Sequence, residues 1–159
     1  MTEAALDAAL ELGKRWEGLH RVVRKVPRVE IGPYVCPAGV LTIGYGHTGP
    51  DVVPGQIITP WDAQELLYAD MRLAMAQVLV HSPQLALGPP ERLGAITDFV
   101  FNLGIGRYKA STLRRKVNAD AWDDVPAELR KWVWGGGKKL PGLILRREAE
   151  IVLLEEADA

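Results

Sequence analysis

The sequence predicts an α+β fold: a larger helical lobe, a small antiparallel β lobe and a cleft between them. Three observations carry this. Apolar residues recur at helical spacing in several separate segments. Between Val22 and Ile58 that spacing gives way to β-branched residues alternating with polar ones, broken by glycine and proline. Helical texture then resumes, so the layout is one helix, a small β region and several more helices. The 159 residues fit a single domain, with the β lobe over about 20–58 and the helical lobe over about 60–156 plus the N-terminal helix. With 48% apolar residues the chain can fill a sizeable core.

Residues 4–15 read as a short amphipathic helix, with Ala5, Leu6, Ala9, Leu10 and Leu12 on one face and Trp16 extending it. Gly18 stops it, which puts Glu17 at its C-terminal end. Val40, Thr42 and Tyr45 are strand formers, while Gly44 and Gly46 mark a bulge or a close backbone approach. Thr59-Pro60-Trp61-Asp62 is a helix start, with a capping hydroxyl, a first-turn proline and an acid at the positive end of the dipole. That helix runs from about Pro60 to Val80. Pro89-Pro90 opens another, through Ile96, Phe99, Val100 and Leu103, closed by Gly104 and Gly106. Ser111-Thr112 starts a helix through Val117, Asp120–Trp134 reads as one more, "GGGKKLPG" as a loop, and Leu143–Glu156 as the last helix.

The formal net charge of -1 gives no global argument for nucleic acid or membrane. Locally, cations outnumber acids from Arg107 to Arg147, and Arg21, Arg24, Lys25 and Arg28 form a second basic run. These are faces for a polyanionic partner or ordinary solvated surfaces. The single cysteine cannot form an internal disulfide, so it does not fix the redox compartment. The N-terminus does not read as a signal peptide, and no apolar run is long enough to span a bilayer. Neither membrane insertion nor nucleic-acid binding is expected, and the chain is expected to be a monomer without cofactor or metal.

Four groups could carry chemistry. Glu17 lies beside Trp16 at a helix C-terminus. Apolar surroundings and the negative end of the dipole would both favour a protonated acid, as a general acid requires; the alternative is an ordinary exposed glutamate. Cys36 could be a nucleophile, a group that positions water or a small buried hydrophobe. Thr42 follows six residues later, on the same strand face if no bulge intervenes. His47 could act or could only hold structure. In "FNLGIGRYKASTLRRK", Asn102 could bind a ligand or lock the turn that Gly104 and Gly106 permit. Arg146 and Arg147 could contact anionic groups, or pair with Glu148, Glu150 or the acidic tail.

Together, "WEGL" at 16–19, "YVCPAGVLTIGYGHTG" at 34–49, "FNLGIGRYKASTLRRKVN" at 101–118 and "GGGKKLPGLILRREAE" at 135–150 resemble the phage-type (T4-like) lysozymes, the endolysin family of glycoside hydrolase family 24. The resemblance implies a lysozyme-like fold and hydrolysis of the β-1,4 bond between N-acetylmuramic acid and N-acetylglucosamine in peptidoglycan. It implies Glu17 as the acid, with Cys36 standing where the family has aspartate and Thr42 completing the catalytic set. Tyr45, His47, Phe101, Asn102, Gly104 and Arg146 are then expected to line the substrate site. The stretch from Glu17 to Cys36 is longer than the family pattern, and it contains Glu30, an alternative second carboxylate. A lytic transglycosylase giving 1,6-anhydromuramic products, a non-catalytic peptidoglycan-binding relative and a Cys36–His47 peptidase or amidase are the competing readings. Without an export signal, the protein is expected to wait in the host cytoplasm for holin-mediated release to the cell wall.

Overall fold

The computed structural model describes residues 2–18, 21–25, 27–36, 38–157 and 159. Leu19 of the "WEGL" block and Pro37 of "CPAG" lie outside the described residues. Two compact units divide the chain: Gly13–Asp70, and Met1–Leu12 together with Met71–Ala159.

The Gly13–Asp70 unit takes the end of helix α1 (Thr2–Glu17) and then five short strands. Strands β1 (Val22–Arg24) and β2 (Glu30–Ile31) form an irregular antiparallel pair. Strands β3 (Tyr34–Val35), β4 (Leu41–Ile43) and β5 (His47–Thr48) form an antiparallel meander in that order. Ile31 and Ile58 exchange backbone hydrogen bonds of 2.9 Å each way, which fastens the β1–β2 hairpin to the segment before the next helix. The core beneath is Ile31, Ile43, Val52, Ile58 and Ala63, all buried, with Val29, Leu41, Tyr45 and Leu66 packed around it. Helix α2 (Pro60–His81) starts as the sequence predicts. The Thr59 hydroxyl accepts from Asp62 N at 3.2 Å, and Asp62 Oδ2 accepts from Thr59 N at 2.8 Å, a reciprocal cap for the open N–H groups.

In the other unit, α3 (Pro90–Leu103) is the central element, and α7 (Pro141–Glu156) packs along it. From α3, Leu93, Ile96, Phe99 and Val100 are buried. They join Leu113 and Val117 of α5 (Thr112–Asn118), Val125 and Leu129 of α6 (Val125–Leu129), and Ile151 and Leu154 of α7. Phe99 meets the rings of Tyr108 and Trp132 edge-on, at centroid distances of 6.3 and 5.5 Å. Tyr108 belongs to α4 (Ile105–Ala110), which follows Gly104 directly. The Tyr108 hydroxyl is 2.7 Å from Ser82 Oγ, and Ser82 Oγ donates to Asn118 Oδ1 at 2.7 Å. Ser82 has one proton, so the phenol donates to it. Burial pushes the phenol up to about 12, so it keeps that proton.

Two elements differ from the sequence reading. The helix predicted over Asp120–Trp134 is broken: a 3₁₀ turn at Trp122–Asp124 precedes the short α6. Asp120 adopts a positive φ of 57°, and Pro126 restricts α6 to a fresh start. The "GGGKKLPG" loop is instead a tight hairpin, β6 (Trp134–Gly135) with β7 (Lys138–Lys139). Gly136 and Gly137 both have positive φ, 56° and 77°, as a two-residue hairpin turn demands.

Ser82→Ala should strip a buried donor from Asn118 and a buried acceptor from Tyr108. The expected loss is about 1–3 kcal/mol in urea denaturation, with the helical circular-dichroism spectrum retained.

Candidate active site

Glu17 is the last residue of α1. Gly18 ends the helix at φ 63°, with its N–H still bonded to the Lys14 carbonyl at 3.3 Å. The carboxylate lies against the turn between β4 and β5. A Cβ placed on Gly46 would stand 3.2 Å from Glu17 Oε2, and Gly46 itself has φ 89°. Glycine is therefore required there both by backbone conformation and by the close approach of Glu17.

The meander register sets the opposite wall. Tyr34 pairs with Thr42 and Val35 with Leu41; on the other side Thr42 pairs with Thr48 and Ile43 with His47. Opposed residues share a face, so Tyr34 and Thr42 point one way, Val35 and Leu41 the other. Cys36 opens the β3–β4 turn, donating its N–H to Val40 O at 2.9 Å and accepting from Gly39 N at 2.8 Å. Thr42, 2% exposed, reaches Cys36 from the adjacent strand, across the hairpin rather than along one strand.

The Cys36 thiol is partly exposed, and its pKa is lowered from the ordinary value. The Val40 N–H contributes most, then the Thr42 hydroxyl and the Ala38 N–H, all donors that favour the thiolate. The Thr42 hydroxyl also donates to Val40 O at 3.0 Å. Its one proton thus has two acceptors, the carbonyl when Sγ is protonated and Sγ when it ionises. Tyr34 is the residue that sequence reasoning missed. Burial raises its phenol first, and the charges of Glu17 and then Cys36 push it up further. Tyr34 therefore lies within electrostatic reach of both groups and stays an uncharged O–H. Its place two residues before Cys36 on an alternating strand was the available signal.

His47 has both ring nitrogens engaged: Nδ1 with Asp70 Oδ2 at 2.8 Å and Nε2 with Asp51 Oδ2 at 3.0 Å. Partial burial works against its charge, but the two carboxylates outweigh it and raise its pKa. It ties β5 to α2 and to the turn after β5. Tyr45 packs against the Ile31–Ile43 core. Glu30 faces Arg24 at 3.5 Å.

The remaining sequence candidates belong to the other unit. Arg146 is 3% exposed and grips Asp98 through two 2.8 Å bonds, Nε to Oδ2 and Nη2 to Oδ1, with the Phe101 ring centroid 5.7 Å away. The expectation that Arg146 contacts anionic wall material thus meets a guanidinium already forked onto a buried acid, one turn of α3 before Asn102. Arg147, fully buried, donates from Nη2 to Asn102 Oδ1 at 3.1 Å and to Glu150 Oε1 at 2.6 Å. Asn102 thus turns its carbonyl inward and keeps its amide N–H groups to offer. Burial pushes the Glu150 carboxyl well up. Gly104 closes α3 at φ 85°, its N–H on Val100 O at 2.7 Å. Among the described residues no three His, Cys, Asp or Glu side chains are grouped to hold a metal ion.

Both the sequence and the fold match known proteins. The phage lysozyme family model matches residues 14–150. The SAR-endolysin of Bacteriophage PS119 is 39% identical over 123 residues, 77% of this chain and 72% of its own. The crystal structure of the active form of P1 phage endolysin Lyz is 26% identical, with a TM-score of 0.78 over 96% of this chain and 85% of that one. The muramidase domain of SpmX from Asticaccaulis excentricus is 29% identical, with a TM-score of 0.76 over 92% of this chain and 94% of that one. Three more SAR-endolysins match at 35–39% identity. Endolysins so designated are secreted through the Sec pathway, which overturns the expectation of cytoplasmic storage and holin-mediated release. Among the described residues no helix is long and apolar enough to cross a membrane.

Gly46→Ala should cost about 1–3 kcal/mol in backbone strain. If Glu17 is the acid, its displacement should lower lytic activity more than that loss explains, on the order of 10²-fold, in a folded variant assayed below its melting temperature. His47 yields a second expectation. Its folded pKa is raised, so its stabilisation is complete below the ordinary value of 6.5 and is lost as pH rises through the elevated folded value. Chemical denaturation across pH 6–8 should show that decline, and Asp70→Asn should flatten it.

Proposed function

The chain belongs to the phage lysozyme family, and on that premise we propose that it is an endolysin muramidase hydrolysing the N-acetylmuramic acid–N-acetylglucosamine β-1,4 bond of peptidoglycan. The reading rests above all on the Glu17 carboxylate held against Gly46, within electrostatic reach of a phenol that also senses Cys36. Glu17 gives its proton to the glycosidic oxygen, and the bond breaks through an oxocarbenium-like transition state. Water then attacks the anomeric carbon from the opposite face. The Cys36 thiolate takes one of its protons, and the Thr42 hydroxyl orients it. The outcome is inversion: a new hydroxyl on the anomeric carbon and a free alcohol on the leaving sugar.

The donors around Cys36 support its role as base, because they make thiolate available nearer neutral pH than an ordinary thiol allows. Amide donors and aromatic faces suit sugars, which supports the family's assignment of Asn102, Phe101 and Tyr45 to substrate binding. The SAR-endolysin relatives support release without a holin. The second reading, a lytic transglycosylase, draws on the absence of aspartate at position 36, since that reaction needs a single acid.

Glu17→Gln should lower turnover of purified peptidoglycan on the order of 10²–10⁴-fold with the fold intact. Full activity in that variant would remove Glu17 as the acid. Mass spectrometry of the wild-type products separates the two reactions: hydrated reducing ends mark the muramidase, 1,6-anhydro ends the transglycosylase. If Cys36 is the base, Cys36→Asp should retain far more activity than Cys36→Ala.

A further inference from the structure

The three-stranded meander has two faces, and only one serves the Glu17 site. On the other, Val35 is 66% exposed and shares its face with Leu41, its cross-strand partner. Leu41 lines a groove of about 310 Å³ together with Val23, Pro33, Pro54 and Ile57. Val23 and Ile57 are 47% and 52% exposed. A Cβ on Gly32 would stand 3.1 Å from Val23 Cγ1 and 4.0 Å from Ile57 Cδ1. Exposed apolar residues are ordinary when scattered; a contiguous apolar strip is not.

The rim of the groove is basic. Arg21 lines it, held at a positive φ of 52° with its carbonyl accepting from Gly32 N at 3.1 Å. Arg24, Lys25 and Arg28 follow on the same hairpin, all exposed, and Glu30 is the only acid from residue 21 to 31. The net charge of the chain is -1, so this run of cations is a local excess.

We propose that this groove and its cationic rim adsorb the Gly13–Asp70 unit onto an anionic lipid surface. The cations take lipid phosphates while Val23, Val35 and Ile57 sink among the head groups, the pattern of an interfacial rather than a spanning contact. A polyanionic polymer would use the cations but leave the valines and isoleucine in water, so the apolar strip favours lipid. The surface is independent of the chemistry at Glu17.

Sedimentation of the full chain with vesicles tests this. Binding to phosphatidylcholine vesicles containing about a third phosphatidylglycerol should exceed binding to pure phosphatidylcholine at least tenfold and fall with added salt. The R24E/K25E/R28E variant and the V23S/I57S variant should each lose tenfold or more while hydrolysing soluble peptidoglycan fragments like the wild type. Equal wild-type binding to both vesicles overturns the proposal. So does wild-type affinity in the charge variant, or in V23S/I57S, which would leave a polyanion contact by charge alone. If either variant melts early, V35W in the otherwise native chain decides: its added emission should shift to the blue on the anionic vesicles, and an unshifted spectrum rejects lipid contact.

Discussion

A carboxylate lying against a bare backbone is the constraint on which the Gly13–Asp70 unit is built. A Cβ on residue 46 would crowd Glu17 Oε2 at 3.2 Å, and Gly46 holds φ 89°, which favours glycine there. Everything adjoining serves that approach. Gly18 stops α1 immediately after the acid, so Glu17 projects from a helix end and not from a helix flank. Residue 46 lies in the turn between Ile43 and His47, and both of those are fixed: Ile43 is buried in the core, and His47 is clamped between Asp51 and Asp70. A turn anchored at both ends cannot drift away from the acid, which is how a short sheet of two- and three-residue strands can hold geometry.

In the other unit the organising feature is a set of ionisable groups withdrawn from water. Asp98, Arg146, Arg147 and Glu150 are all buried between α3 and α7. Such groups are costly to desolvate, so their presence argues for position rather than stability. The Arg146–Asp98 fork fixes α7 against α3 in register, because two parallel bonds tolerate little rotation. Arg147 then reaches Asn102 and sets which end of its amide faces outward. An apolar pair would pack α3 and α7 as well, but would leave Asn102 free to flip.

How much of this the sequence revealed follows from the range of each interaction. Local chemistry was legible: Thr59 and Asp62 cap a helix three residues apart, Gly104 closes one, and Gly44 and Gly46 mark a close approach. The family motifs singled out Glu17, Cys36 and Thr42 as candidates. Pairings that depend on the fold were not legible. Asp98 and Arg146 lie 48 residues apart, and His47 and Asp70 lie 23 apart. Nothing in either sequence neighbourhood names its partner. Tyr34 looked like any strand aromatic until the register set it opposite Thr42. The β6–β7 hairpin was missed because three glycines and two lysines carry no alternation, although consecutive left-handed glycines suit the turn.

The thiol at position 36 changes what the site can hold electrically. Two carboxylates that share a site repel when both ionise, and one is pushed to keep its proton. A thiol with its ordinary value of 9.0 would avoid the conflict by remaining neutral, leaving the proposed acid without a neighbouring anion. Here the Val40 N–H, the Thr42 hydroxyl and the Ala38 N–H pull the thiol down. Tyr34, kept protonated by burial and by the charges of Glu17 and Cys36, adds a dipole to the site but no charge. How readily the thiol ionises is therefore set by the hairpin donors as well as by sulfur itself. A backbone that presents those N–H groups can run a thiol in a carboxylate's place, and a hairpin that turned them away could not.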